Sequence, residues 1–188
     1  MVNIAIVYHS GYGHTEVQAQ HVLEGASSVD GVTASLHKVE DLTNDTSALD
    51  DMDGMIFGSP TYMGSASAPF KAFMDATAGT WMAQKWKDKV AGGFTNSHSL
   101  SGDKLNTLMQ MIIFSMQHSM VWVGLGETNH SPDGEPGKAD VVNRIGSFAG
   151  AMAQSENDSP EVTPPSGDLE TARLLGIRIA TMTKKLRG

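Results

Sequence analysis

The sequence predicts an α/β protein in three layers, with a five-stranded parallel sheet between two layers of helices. Three observations carry this expectation. Val2–Tyr8 is a short, β-branched and nearly continuous apolar run, the pattern of a central parallel strand buried on both faces. Further short apolar runs alternate with segments of helical periodicity, the order that parallel strands joined by crossover helices require. A chain of 188 residues, 40% of them apolar, suits a single domain over residues 1–188 with a sizeable core.

The elements follow in order. After a glycine-containing loop, Val17, His21, Val22 and Gly25 keep helical spacing from a start at His14 or Thr15, and Gly31 closes the connection. Val32–Val39 alternates and reads as a second strand nearer an edge. Asp41–Asp53 is polar, with Ala48 and Leu49 in a short helix. Met55–Phe57, bracketed by Gly54 and Gly58, reads as the third strand, and Ser59–Ser67 as loop. In the helix expected over Ala68–Thr77, Pro69 takes an early position where its missing N–H costs little. Val90–Thr95 is the fourth strand. Asp103–His118 carries the longest helical pattern, with Leu105, Leu108, Met109, Ile112, Ile113 and Met116 as a wide apolar stripe. Met120–Val123 is the fifth strand, and Gly124–Gly146 is long enough to be a functional loop. Ser155–Gly167 holds Pro160, Pro164 and Pro165 and cannot continue a helix. Asp168–Leu186 is a final amphipathic helix whose closing basic residues suit the negative end of its dipole. No repeat or interdomain linker interrupts this pattern.

A net charge of −8 argues against nucleic-acid binding, which rests on basic patches, and matches electron carriers that dock on basic partners as well as ordinary enzymes. The chain has no cysteine, so thiolate metal ligands and a cysteine nucleophile are excluded, and redox chemistry would need a cofactor. Met1–Tyr8 lacks a basic n-region, and no stretch approaches the length of a membrane span. The expectation is a cytoplasmic protein without membrane insertion.

In parallel sheets ligands bind beyond the carboxyl ends of the strands, where the strand order switches. The first loop, Ser10-Gly11-Tyr12-Gly13-His14-Thr15, joins a buried strand to a helix N-terminus, where free N–H groups and the dipole attract an anion. Ser10, Tyr12 and Thr15 add hydroxyls, and the glycines let the backbone curl closely around a phosphate. It has no Lys or Arg, is not a Walker A loop, and lacks the third glycine of the dinucleotide fingerprint. What remains is a neutral phosphate nest, or a tight turn with a capping residue. Gly58-Ser59-Pro60-Thr61-Tyr62-Met63-Gly64, after the third strand, offers amides and flat or soft side chains to a planar heterocycle. Thr95-Asn96-Ser97-His98-Ser99-Leu100-Ser101-Gly102, after the fourth, is dense in donors, as a backbone wrapping a flavin edge is; it also suits a polar turn capping the next helix.

These motifs run in order through almost the whole chain, together with Phe73-Met74-Asp75 through Gly79-Thr80-Trp81, His118 before Met120, and Leu169-Glu170-Thr171-Ala172-Arg173. On them the sequence resembles the flavodoxin superfamily and, within it, the WrbA-type NAD(P)H:quinone oxidoreductases. The resemblance implies a flavodoxin-like sandwich with strand order 2-1-3-4-5 and FMN bound non-covalently. It implies phosphate contacts from Ser10, Tyr12, Gly13, His14 and Thr15. Pro60, Thr61, Tyr62, Met63 and Gly64 would lie along the ring, and Thr95, Asn96, Ser97, His98, Ser99 and Leu100 around its pyrimidine edge and ribityl chain. It further implies a homodimer or homotetramer in which His118 approaches a neighbouring subunit's flavin as a catalytic residue and Trp81 helps wall the site. Both residues also read as ordinary packing groups.

The sequence departs from the family pattern where a second substrate would bind. An arginine and a phenylalanine usually follow Pro-Thr, and Tyr62 and Met63 stand there instead. Glu127 occupies a place that is usually aromatic, the loop after the second strand is short, and His98 and Leu100 replace glycines. The function implied is an oxidoreductase that passes electrons from NAD(P)H, as co-substrate, through FMN to a quinone or other small redox acceptor, the flavin supplying the chemistry. The alternatives are an acidic electron-transfer flavoprotein serving a redox protein partner, and a flavin reductase that releases reduced FMN.

Overall fold

A computed structural model describes residues 1–129, 131, 135 and 137–188. In chain order the elements are β1 (Val2–Tyr8), α1 (His14–Ser27), β2 (Val32–Lys38), α2 (Val39–Leu42), a 3-10 turn at Ser47–Leu49, β3 (Gly54–Tyr62), β4 (Ser65–Ala66), α3 (Ala68–Ala76), α4 (Ala78–Met82), β5 (Val90–Ser97), α5 (Lys104–Gln117), β6 (Val121–Trp122), β7 (Ala151–Gln154) and α6 (Ser166–Arg187). The expected order holds, as β2-β1-β3-β5 and then a fifth place, all parallel. That fifth place is shared. Val121 and Trp122 pair with Val90 and Ala91, whereas Ala151–Gln154 pair with Phe94–Ser97 farther along the same strand. The strand expected at Met120–Val123 is therefore half of the fifth position, and β7 supplies the other half after the chain has looped out. The expected functional loop Gly124–Gly146 lies within that excursion and includes the residues outside the described ones.

Strand alternation sorts the core into two layers. Ile4, Ile6 and Tyr8 of β1 pack with Val22 of α1 and Leu175 and Ile179 of α6. Ala5 and Val7 face the other way, with Phe70 and Phe73 of α3 and Met111 and Phe114 of α5. The α1–α6 contact is close enough to require glycine. A Cβ on Gly176 would collide with the Val22 carbonyl, and one on Gly25 with the Arg173 carbonyl.

Two expectations change in the structure. β3 does not stop at Phe57 but runs to Tyr62, then turns at Met63 and Gly64 and returns antiparallel as β4, so most of the expected loop 59–67 is strand. Pro60 is tolerated there for a local reason. The Gly58 carbonyl accepts from the His9 amide, so alternate residues of β3 turn their peptide groups toward β1. β1 pairing ends at Gly58, and the missing N–H of Pro60 falls beyond it, where no ladder partner is needed. The second change concerns α5. Of the predicted stripe, Leu108 is buried, with Met111 and Phe114 beside it, but Leu105, Met109, Ile113 and Met116 are 42–57% exposed. The helix is apolar on two sides, and tertiary packing selects one of them. Among the described residues no helix is long and apolar enough to cross a membrane.

Candidate functional site

The carboxyl ends of β1, β3 and β5 share one edge of the sheet, and their loops surround a cavity of about 530 Å³, within the range of roughly 300–1,000 Å³ usual for cofactor sites. The first loop is braced from inside. Ser10 Oγ accepts from the amides of Gly13 and Glu16, both at 3.1 Å. Gly13 is left-handed at φ 92°, and a Cβ there would also press on Pro160 at 2.9 Å. The amides of Tyr12, His14 and Thr15 have no acceptor among the described residues, nor does the hydroxyl of Thr15, which lines the cavity although the residue is only 2% exposed. These donors converge at the positive end of α1. The one acid in that first turn is neutralised, because Glu16 takes a hydrogen bond from the Tyr8 hydroxyl at 3.0 Å and an ion pair from Lys38 at 3.1 Å. Burial, followed by that bond to Glu16, raises the Tyr8 pKa.

Over this cradle β3 delivers Pro60, Thr61, Tyr62 and Met63, which line the cavity. Tyr62 stands edge-on to Tyr12, with ring centroids 6.2 Å apart, and to His9 at 6.5 Å. Its hydroxyl lies over Gly11, and burial is the first cause of its raised pKa. Met63 (φ 49°) is fully exposed at the turn; Gly64 (φ 77°) completes the turn outside the lining, its carbonyl accepting from Asn106 Nδ2 at 2.7 Å. Asn96, Ser97 and His98 form the next wall. Thr95 lies beneath it, fully buried, in a hydroxyl chain with Thr61 (2.8 Å) and through it Thr107 (2.7 Å). Ser99 is outside the lining, and Leu100 opens on a separate depression beside Leu105, Met109 and Phe148.

The fourth wall was not foreseen. Ser155, Glu156, Asn157 and Asp158 complete the cavity, because β7 pairs with β5 and carries the following residues to the same edge. Ser155 donates from its amide to the Ser97 carbonyl at 3.1 Å and from its hydroxyl to Asn96 Oδ1 at 3.0 Å. His14 Nε2 donates to the Asp158 carbonyl at 2.8 Å, tying this wall to the first loop. The available signal was the alternation of buried alanines at 151 and 153, too short to read as a strand. Among the described residues the lining holds two carboxylates, Glu156 and Asp158, and no Lys or Arg. Glu127 is not part of it; its carbonyl accepts from Asn143 Nδ2 at 2.8 Å.

His118 and Trp81 sit elsewhere in the chain, in a hollow of about 470 Å³ between α3, α4 and α5. The His118 ring is 4.5 Å from Trp86 and 4.9 Å from Phe114, and its Nε2 is 2.9 Å from Thr77 Oγ1. The Thr77 hydroxyl spends its proton on the Met74 carbonyl at 2.7 Å, so the imidazole must donate from Nε2. Burial lowers its pKa to about 4. Among the described residues, one chain alone does not bring His118 to the loop cluster.

A neutral amide cradle at a helix N-terminus, set beside aromatic and amide-bearing walls at a topological switch, defines an α/β protein whose cavity is shaped to suit a phosphorylated, planar ligand. The comparisons with known proteins agree. Residues 14–130 match the model of the NADPH-dependent FMN reductase family, and the chain belongs to that family. It is 42% identical to flavodoxin FldP of Pseudomonas aeruginosa, over 99% of each chain. It is 32% identical to an NAD(P)H dehydrogenase (quinone) of Solidesulfovibrio magneticus, over 99% of this chain and all of that one. Among solved structures, a WrbA-like flavodoxin from Agrobacterium tumefaciens superposes with a TM-score of 0.76 at 42% identity, covering 98% of this chain and 99% of that one.

Proposed function

We propose that the chain binds FMN in the cavity above β1, β3 and β5 and works as an oxidoreductase that passes electrons from NAD(P)H to a quinone. The observation that carries this reading is the set of unsatisfied donors in the first loop, facing the same cavity as Tyr62 and Asn96. The amides of Tyr12, His14 and Thr15 and the Thr15 hydroxyl would hold the phosphate, with Ser10 and Gly13, the latter outside the lining, shaping the loop around it; Pro60 to Met63 would lie along the ring, and Asn96 to His98 would meet its polar edge. Bound FMN supplies hydride acceptance and electron return; the chain supplies orientation and a walled face. Quinone and nicotinamide would use that face in turn. A cytoplasmic setting, where reduced pyridine nucleotide is available, goes with this role.

The test is anaerobic mixing of FMN-loaded protein with NADH or NADPH. Rapid loss of the flavin's visible absorbance is expected, and an unchanged spectrum over minutes would defeat the enzymatic reading. A second reading, an electron carrier that docks on a redox protein, is favoured by the two carboxylates and the absence of a cation in the described lining. It predicts no reduction by either nucleotide but rapid reduction by a basic redox protein.

The same proposal includes self-association, as a homodimer or homotetramer. Its support is the outward apolar side of α5, where Ile113 borders the hollow that holds Trp81 and His118. In such an assembly His118 would face a neighbour's flavin. Light scattering of Ile113→Glu, expected to give monomer where the unaltered chain gives a multiple, decides it.

A further inference from the structure

The loop after β5 is held by its carbonyls. Ser97 O accepts from the Ser155 amide at 3.1 Å, and His98 O from Gln154 Nε2 at 3.1 Å. Ser99 O and Leu100 O both accept from Lys104 Nζ, at 2.5 and 3.0 Å. In a planar trans peptide the C=O of one residue and the N–H of the next point in opposite directions. Four consecutive carbonyls turned toward internal donors therefore turn the amides of His98, Ser99, Leu100 and Ser101 the other way. None of those four amides has an acceptor among the described residues.

Lys104 is the member of this network that ordinary preferences do not explain. It opens α5, where the helix dipole disfavours a cation, and it is fully buried, where an ammonium survives only with partners. Its hydrogen-bond partners are the two loop carbonyls. The charges acting on it are Asp168 at the start of α6 and Arg144. Those two form a buried two-point ion pair at 2.8 and 2.9 Å, and Gln154 is clamped to both, its amide on Asp168 at 2.8 Å and its Oε1 on Arg144 at 3.1 Å. The side-chain donors to the His98, Ser99 and Leu100 carbonyls from outside the loop, Gln154 and Lys104, thus belong to one buried cluster.

We propose that Lys104 is a positioning residue for the flavin: its buried ammonium draws the Ser99 and Leu100 carbonyls inward and so fixes the loop that carries His98, the one of these four residues lining the cavity, with its amide toward the electron-rich edge of the ring. This rests on the FMN reading above. Burial lowers the Lys104 pKa to about 8, with Asp168 opposing and Arg144 adding to the shift, so the ammonium is lost at mildly alkaline pH.

The experiment compares the full chain with Lys104→Met and Lys104→Arg. FMN is titrated by fluorescence quenching between about pH 7 and about pH 9, a span that brackets the Lys104 value. Thermolysin cleavage before the exposed Leu100 is followed in flavin-free samples. Lys104→Met is expected to weaken FMN about ten- to hundred-fold, the loss of charge-assisted hydrogen bonds, with no remaining pH dependence in that span. Lys104→Arg should keep most of the affinity, and the unaltered chain should lose affinity as pH rises through about 8. Cleavage before Leu100 should speed up in Lys104→Met alone. Unchanged affinity and unchanged cleavage in Lys104→Met would overturn the inference. Failure of the unaltered chain to take up FMN would instead sink the functional reading, with the cleavage rates still judging the hold of Lys104 on the loop.

Discussion

His118 donates from Nε2 to the Thr77 hydroxyl across 2.9 Å, inside a cage made by Trp86 and Phe114. The cage keeps the ring neutral, and Thr77, its proton given to the Met74 carbonyl, fixes the tautomer. It also makes the histidine a source of acid sensitivity.

Burial lowers the His118 pKa from 6.5 to about 4. The unfolded chain therefore takes up the proton first, and unfolding is promoted as pH falls. The contribution is absent above about pH 6.5 and grows toward about pH 4, reaching roughly 3 kcal/mol by linkage. Urea titrations at a series of pH values should show stability falling across that window, and His118→Gln should flatten the slope. Equal slopes in the two proteins would remove His118 as the cause.

The α1–α6 seam gives a prediction free of titration. Gly176→Ala places a methyl group against the Val22 carbonyl, and two packed helices must part to admit it. A loss of about 1–3 kcal/mol is expected, typical of an overpacked interior. Thermal unfolding of the variant checks this, and an unshifted midpoint would show that the seam yields more easily than its geometry suggests.

Legibility in the sequence followed the range of the interactions. Buried parallel strands are written as local apolar runs, so β1, β2, β3 and β5 could be located directly along the chain, while their order in the sheet came from the family resemblance. The cradle at Ser10–Thr15 was readable for the same reason, since its glycines and hydroxyls sit within six consecutive residues. The wall at Ser155–Asp158 was not, because it depends on a four-residue strand pairing with β5 across a long excursion. α5 misled for a different reason. Periodicity locates an apolar side but cannot rank two of them, and Leu108, Met111 and Phe114 prevailed over Leu105, Met109 and Ile113. A fully buried lysine at the first turn of a helix follows from no local rule.

The first loop should bind FMN through separable contributions. Thr15→Ala removes a hydroxyl that has no partner among the described residues, and should weaken FMN about ten- to hundred-fold if it meets a charged phosphate. Ser10→Ala acts indirectly by freeing the Gly13 and Glu16 amides, so a smaller loss of about ten-fold is expected. Calorimetric titration with FMN and with riboflavin separates the two effects. Thr15→Ala should harm FMN and leave riboflavin nearly untouched; equal losses for both ligands would move the phosphate elsewhere.

Glu156 and Asp158 set the charge that an incoming electron donor meets. Both are exposed on the cavity wall, and no Lys or Arg among the lining residues offsets them. NADPH carries more negative charge than NADH, so repulsion should penalise it more, and salt should relieve the penalty because exposed charges are screened within about 10 Å at moderate ionic strength. The double substitution Glu156→Gln with Asp158→Asn should raise kcat/KM for NADPH by roughly three- to ten-fold at low salt, with a smaller gain for NADH. Raising the salt should lift the unaltered protein toward the variant. A variant that gains nothing at low salt would place the nucleotide's phosphates away from this wall, on the side of Tyr62 and Met63.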